Sequence, residues 1–189
     1  MSTGREKFAR LRPLFAVGGS LLAVLPTAVV RAMWPLVRSL PGLGGIGVRY
    51  IWAKRLFAGC GDNVRIGPGC TFVYWDRMSV GSNVSIHERT YVDAEGGITI
   101  GDDVSIAHGC SLLAFDHSWD DPSTPIKYNP RRLRPIEIDS DVWLGCGVRV
   151  LSGTALGSRT IVAAGAVVRS GEYGRCILGG VPASEIRRL

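Results

Sequence analysis

Acidic side chains are nearly missing from the first 60 residues of this 189-residue chain. Glu6 stands alone there against Arg5, Lys7, Arg10, Arg12, Arg31, Arg38, Arg49, Lys54 and Arg55. The remainder carries 13 cations and 15 anions, so the net charge of +6 divides into +8 and −2. A nucleic-acid-binding chain does not fit that division, because the basic residues interleave with aliphatic runs and not with a surface of stacking aromatics. Cysteine is sparse. Cys60, Cys70, Cys110, Cys146 and Cys176 are an odd set without a CxxC pair, which argues against a zinc site or a disulfide framework and for a reducing compartment. Long apolar runs are lacking too: the uncharged stretch from Pro13 to Val30 falls slightly short of the ~20 residues of a bilayer span and contains Gly18, Gly19 and Pro26. Arg31 interrupts the place where a signal-peptide cleavage site would lie. Cations on both sides leave a span without a preferred orientation. The composition favours broken or re-entrant helices lying in the cytoplasmic face of an inner membrane, held by apolar burial and anionic lipid. A single span, and a helix packed along the rest of the fold or against a partner subunit, are the other two readings.

What the chain has in abundance is a beat of six. Aliphatic or aromatic residues recur at Ile66, Phe72, Val80, Ile86, Val92, Ile100, Ile106 and Leu112, then at Ile138, Leu144, Val150, Leu156, Val162 and Val168. Four places after most of them stands a second, smaller residue, such as Val64, Cys70, Val84, Thr90, Val104, Cys110, Val142, Val148, Thr154, Thr160 or Ala166. Neither an amphipathic helix nor an alternating strand has this period. It predicts a solenoid wound as a triangular prism, with one short strand and one corner per hexad and three hexads per coil. Five coils are expected, starting near Cys60, Val80, Ile100, Ile138 and Leu156. The glycines that follow the inward residue (Gly67, Gly81, Gly101, Gly145, Gly157) are expected to supply the backbone angles of the corners. About twenty extra residues leave the prism after Leu112.

The tract PIEIDSDVWLGCGVRVLSGTALGSRTIVAAGAVV, followed by GGVPASEIRRL, resembles the closing motifs of the hexapeptide-repeat acyltransferases. That family includes galactoside and maltose acetyltransferases and the acetyltransferases of bacterial capsule and surface-polysaccharide clusters. The resemblance covers roughly residues 58 to 189, and the stretches RYIWAKRLFAGCGDN and SIAHGCSLLAFDHS look closer to the polysaccharide-cluster members. It implies a mainly β fold, a left-handed parallel β-helix with a short C-terminal helix, and the charge and hydropathy pattern adds an N-terminal helical, membrane-associated segment before it. The expected division is residues 1–57 for that segment and 58–189 for the acyltransferase domain, with a catalytic loop at 113–135. The family is usually a homotrimer with acetyl-CoA between neighbouring prisms, so the implied activity is O-acetylation of a sugar hydroxyl in a surface glycan.

Only three histidines are available for chemistry. By position within the resemblance, His117 in the extra loop is the general base that takes the hydroxyl proton. Asp116, Glu95 or a backbone carbonyl would orient its ring. His87 and His108 should lie on one corner of the prism, and His87 stands where the family often has an asparagine that helps organise the site. For the cofactor the resemblance points to Trp143, Gly145, Cys146, Ala163, Ala164 and Gly165 along the pantetheine arm, with Arg169 and Arg187 for the phosphates. The family's usual cation after its GVPA motif is replaced here by Ser184. Lys127, Arg131, Arg132 and Arg134 form a basic stretch within reach of an anionic acceptor. No metal is expected. The alternatives are a non-catalytic scaffold prism and a metal-dependent hydratase of the carbonic anhydrase kind, whose three-histidine spacing this chain does not match.

Overall fold

The computed structural model describes residues 4–189, so residues 1–3 of the N-terminal segment lie outside the described residues. Short strands wind into three parallel faces. The first stacks Gly59–Cys60, Met78–Val80, Ile98–Ile100, Ile136–Ile138, Thr154–Leu156 and Gly171–Tyr173. The second runs from Arg65–Ile66 through Ser85–Ile86, Ser105–Ile106, Trp143–Leu144 and Ile161–Val162 to Cys176–Gly180. The third stacks Thr71–Val73, Tyr91–Asp93, Ser111–Leu113, Arg149–Val150 and Val167–Val168. In register, Cys60 sits on Val80, Val80 on Ile100, Ile100 on Ile138, Ile138 on Leu156 and Leu156 on Tyr173. The hexad pattern therefore locates every coil start, but the stack has five complete coils and two faces of a sixth.

The inward residues fill the prism axis. All fourteen large residues of the beat, from Ile66 to Val168, are buried, as are the smaller ones that follow four places later. Full burial of such a side chain stabilises by about 1.5–3 kcal/mol, and a column of them with no polar interruption holds the coils together.

The glycines work differently from the expectation. The left-handed backbone of the corners falls three places after the inward residue: at Asn63, Asn83, Asp103 and Asp141, with φ between 56° and 60°, at Arg89 and Arg159, and at Gly69, Gly109, Gly147, Gly153 and Gly165. Asn and Asp tolerate that region because their short side chains bond locally; Asn63 Nδ2 donates to Asn83 Oδ1 of the next coil at 3.1 Å. The glycine directly after the inward residue is required by the neighbouring coil. A Cβ at Gly81 would stand 2.7 Å from the carbonyl carbon of Gly101, and one at Gly145 would stand 2.6 Å from the Ala164 nitrogen.

The ends are closed by other means. The C-terminal residues form a strand, Ala183–Arg188, antiparallel to Cys176–Gly180, and not the expected helix. A helix there would leave the last strand's backbone groups as an open edge, whereas the hairpin satisfies one side of them. At the other end four helices cap the prism: α1 (Gly4–Ala23), α2 (Thr27–Ala32), α3 (Trp34–Val37) and α4 (Gly42–Leu56). Trp34, Phe57, Phe72 and Trp75 cluster with ring centroids 4.8–5.9 Å apart and plug the first coil. Arg49 of α4 is buried, donating from Nε to the Ile66 carbonyl at 2.8 Å and from a terminal nitrogen to the Leu40 carbonyl at 2.7 Å. That cation joins the helices to the prism, a role that the charge count alone does not reveal. Of the three readings of the N-terminal segment, packing against the prism describes α4, and no described helix is long and apolar enough to cross a membrane.

Two substitutions test this architecture. Ile106→Asp places an unpaired charge on the axis and should cost several kcal/mol of a typical ~5–15 kcal/mol stability, while a polar replacement of the half-buried Ala107 beside it should be tolerated. Equal shifts in thermal unfolding would contradict the register. Arg49→Met should lower the unfolding free energy by about 2 kcal/mol or more, since buried carbonyls lose their donor. A urea midpoint like that of the wild type would mean that the helices dock without this residue.

Candidate active site

The excursion between the third and first faces folds as a hairpin. Phe115–His117 pairs antiparallel with Arg131–Leu133, placing His117 opposite Arg131, and a 3-10 turn at Ile126–Tyr128 completes the tip. Asn129, buried within it, donates to the Thr124 carbonyl at 2.8 Å and accepts from the Asp121 N–H at 3.0 Å. The hydroxyls of Ser123 and Thr124 hold the exposed Asp121 carboxyl below its usual range.

One ion pair and one hydroxyl fasten this hairpin to the prism. Arg131 contacts the largely buried Glu95 at 2.6 Å, and its guanidinium lies 5.5 Å from the centre of the Phe115 ring. Arg134 donates to Asp116 at 2.7 Å, and the Ser152 hydroxyl donates to the same carboxylate oxygen. Arg132 pairs with Asp120 at 2.5 Å. Of the basic stretch read as reaching an acceptor, Arg131, Arg132 and Arg134 are thus engaged by carboxylates of the chain itself. Burial pushes Asp93, whose carboxylate accepts from the Glu95 N–H, above the ordinary range.

His117 and Asp116 share the wall of a cavity of about 470 Å³ with Trp119, Arg134, Arg169 and Tyr173. The ring of His117 is exposed and meets Phe115 edge-on at 5.9 Å between centroids. Asp116 and Glu95, expected to orient that ring, are instead committed to Arg134 and Arg131. Each stabilises the hairpin that carries the histidine and neither touches it. Successive residues of a strand point to opposite sides, which sends Asp116 toward the prism as His117 faces out. Ser152 and Tyr173 are the neighbours that the sequence did not assign, because no local pattern links them to His117, and Arg131 holds the hairpin where the sequence offered it to an acceptor.

The remaining candidates gather at another corner, between the second and third faces. His87 follows Ile86 there, and its N–H bonds to the Ile106 carbonyl, with His108 one coil on. His87 Nδ1 lies 3.8 Å from Glu88, whose carboxyl is held low by its own backbone N–H and then by His87, Arg65 and His108. Gly145, Cys146, Ala163, Ala164 and Gly165 continue the same corner: Gly145 N–H bonds to the Val162 carbonyl and Gly165 N–H to that of Cys146. Trp143, half-exposed, begins an outward column that passes through Ile161 and Ile177 to Arg187 on the added strand. Arg169 belongs to the His117 cavity and not to this group. Within one chain the candidates thus form two sets on different corners, and the three histidines do not converge. Among the described residues no group of three or more His, Cys, Asp or Glu is arranged to hold a metal ion.

The thiols separate in the same way. Burial raises Cys60 to about 12 and Cys70 to about 11, and pushes Cys110 and Cys176 upward. Cys146 is exposed.

No family model matches the chain. A Mycobacterium tuberculosis protein named as an acetyltransferase is 35% identical over 114 residues, 60% of this chain and 36% of that protein. The galactoside O-acetyltransferase of Escherichia coli K12 is 27% identical over 141 residues, 72% of this chain and 66% of that enzyme. WbbJ of the same organism, which carries the name of a lipopolysaccharide biosynthesis O-acetyl transferase, is 29% identical over 137 residues, 68% and 70% of the two chains. The chain thus spans about a third of the first of these relatives and about two thirds of the others. In fold it is similar to the Vibrio cholerae hexapeptide-repeat acetyltransferase solved with acetyl coenzyme A, at a TM-score of 0.74 and 24% identity over 86% of this chain and 85% of that one. In its six-residue repeat and its β-helix this chain is similar to a hexapeptide-repeat acetyltransferase, and about two thirds of its length aligns with proteins named as acetyltransferases.

Proposed function

We propose that the chain is an acetyl-CoA-dependent O-acetyltransferase acting on a sugar hydroxyl, in surface polysaccharide biosynthesis at the cytoplasmic face of the membrane. The observation that carries this reading is an exposed histidine on a hairpin clamped to the prism by the Arg131–Glu95 ion pair and by the Ser152 hydroxyl on Asp116, at the wall of a cavity large enough for a substrate. The names of the E. coli relatives support the sugar acceptor and the polysaccharide setting.

In the reaction the acceptor hydroxyl oxygen bonds to the thioester carbonyl carbon while a ring nitrogen of His117 takes its proton. The carbon–sulfur bond then breaks, and the imidazolium returns the proton to the departing thiolate. Both substrates lie in one cleft, so positioning supplies much of the acceleration and no acyl-enzyme is needed. The chain acts as a homotrimer in which the His117 cavity of one prism faces the Trp143–Gly165 corner of the next. Arg169 beside His117, and Arg187 at the end of the Trp143 column, serve the cofactor phosphates. A narrow arm passes the small residues Gly145, Ala163 and Ala164. His87, at the corner of that neighbouring prism, supports the acceptor.

Replacing His117 by Ala should lower turnover by roughly 10²–10⁴-fold with little change in acetyl-CoA affinity, because a general base acts in the transition state. Near wild-type thiol release from a variant that binds the cofactor would remove the mechanism. Iodoacetamide at mildly alkaline pH should modify Cys146 far faster than the buried thiols, and coenzyme A should slow that modification. A Cys146 rate indifferent to saturating coenzyme A would move the cofactor off this corner.

A further inference from the structure

Helix α1 is apolar on two sides, and only one of them is covered by protein. Toward α4, Phe8 and Phe15 pack on Tyr50 with ring centroids 5.3 Å apart, Leu22 is buried, and Gly18 lies so close to Ile51 that a Cβ would stand 2.6 Å from its Cδ1. On the other side Leu14, Val17, Leu21 and, just past the helix end, Val24 recur at spacings of three and four. They are 66%, 60%, 70% and 80% exposed. Nine of the eighteen large apolar side chains that the described chain leaves exposed lie between Leu11 and Leu43. The hydroxyl of Ser20, the sole polar side chain from Pro13 to Ala23, donates to the Ala16 carbonyl at 3.0 Å and needs no water. Between α1 and α4 opens a cavity of about 430 Å³, lined mainly by apolar residues including Leu11, Phe15, Leu43 and Ile46, with Arg10 and Arg65 in its wall.

We propose that this face docks on an anionic phospholipid bilayer. The Leu14–Val24 row lies in the interface, an acyl chain enters the cavity, and phosphates meet Arg10 and Arg65. Charge selects this occupant: Arg49 is buried, Arg12 and Lys54 pair with Asp62 and Arg31 with Asp76, yet the segment of nine cations and one acid keeps a net positive charge beside the apolar row, which a second copy of the same segment would repel. Because no described helix is suited to span, α1 lies flat on the surface, its apolar row supplying affinity and its cations selecting anionic lipid. This deepens the membrane attachment proposed above and is independent of the acyl-transfer chemistry.

The test is sedimentation of the full chain with vesicles of phosphatidylcholine, with and without phosphatidylglycerol. The wild type should sediment with the anionic vesicles, less so at high salt, and hardly with phosphatidylcholine alone. Leu14→Ser, Val17→Ser and Leu21→Ser combined should reduce partitioning about tenfold or more, while melting temperature and acyl transfer to a free sugar stay unchanged. Arg10→Glu should weaken binding to anionic vesicles only. A wild-type chain that ignores both vesicles would overturn the proposal. So would a triple variant that partitions like wild type, or one whose change is a smaller assembly in solution, which would mean that a second copy covers the face. Loss of transfer alone, with vesicle binding intact, would count against the enzymatic reading and leave the docking surface standing.

Discussion

Each inward side chain of the prism must lie on its equivalent from the coil below, and nearly everything else in the molecule follows from that constraint. Parallel pairing at fixed register brings corner backbones so close that a methyl group at Gly81 or Gly145 has no room. The same register puts the left-handed turn three places later, where Gly, Asn or Asp, and at Arg89 and Arg159 an arginine, accepts it. A chain bound this tightly has no space for chemistry on its axis, so reactive groups are confined to corners, outward columns and departures from the repeat.

The largest departure carries His117. A long excursion from a solenoid would by itself be a poor platform for a base, since a catalytic group displaced by an ångström loses much of its effect. Here Glu95, rooted in the corner one coil away, grips the strand opposite His117 through Arg131, and Asp116 grips the following segment through Arg134. Breaking such a partly buried pair is costly because it strands a charge away from water. The hairpin is therefore an extension of the prism, and the positions of Asp116 and Glu95 matter for where His117 stands, although neither touches it.

The solenoid was legible in the sequence because a six-residue period has few other physical explanations. Every coil start from Cys60 to Leu156 sits where the beat places it. The grouping of His87 with His108 followed from counting along that beat, whereas that of Gly145 with Ala164 came from the resemblance. What was not legible depends on pairs far apart in the chain: Arg131 with Glu95, Ser152 with Asp116, Arg49 with the carbonyls of Leu40 and Ile66. Charges that look alike in a list divide into buried struts and exposed cations only when the fold brings their partners. The C-terminal strand was missed for a related reason, as Ala183–Arg188 has no strand pattern of its own and is recruited by the open edge of Cys176–Gly180. Glycine's role was misassigned because proximity to another coil, unlike a turn, leaves no mark in the local sequence.

The central claim is that acetyl transfer takes place beside a histidine held out from a rigid prism. The most direct measurement is a structure of the assembled protein with coenzyme A and a sugar acceptor. The account predicts the cofactor sulfur and an acceptor hydroxyl within about 3.5 Å of His117 ring nitrogens, with the pantetheine arm passing the small residues Gly145, Ala163 and Ala164 of the adjoining prism. A cofactor bound with its sulfur at another corner, out of reach of His117 from any subunit, would contradict it.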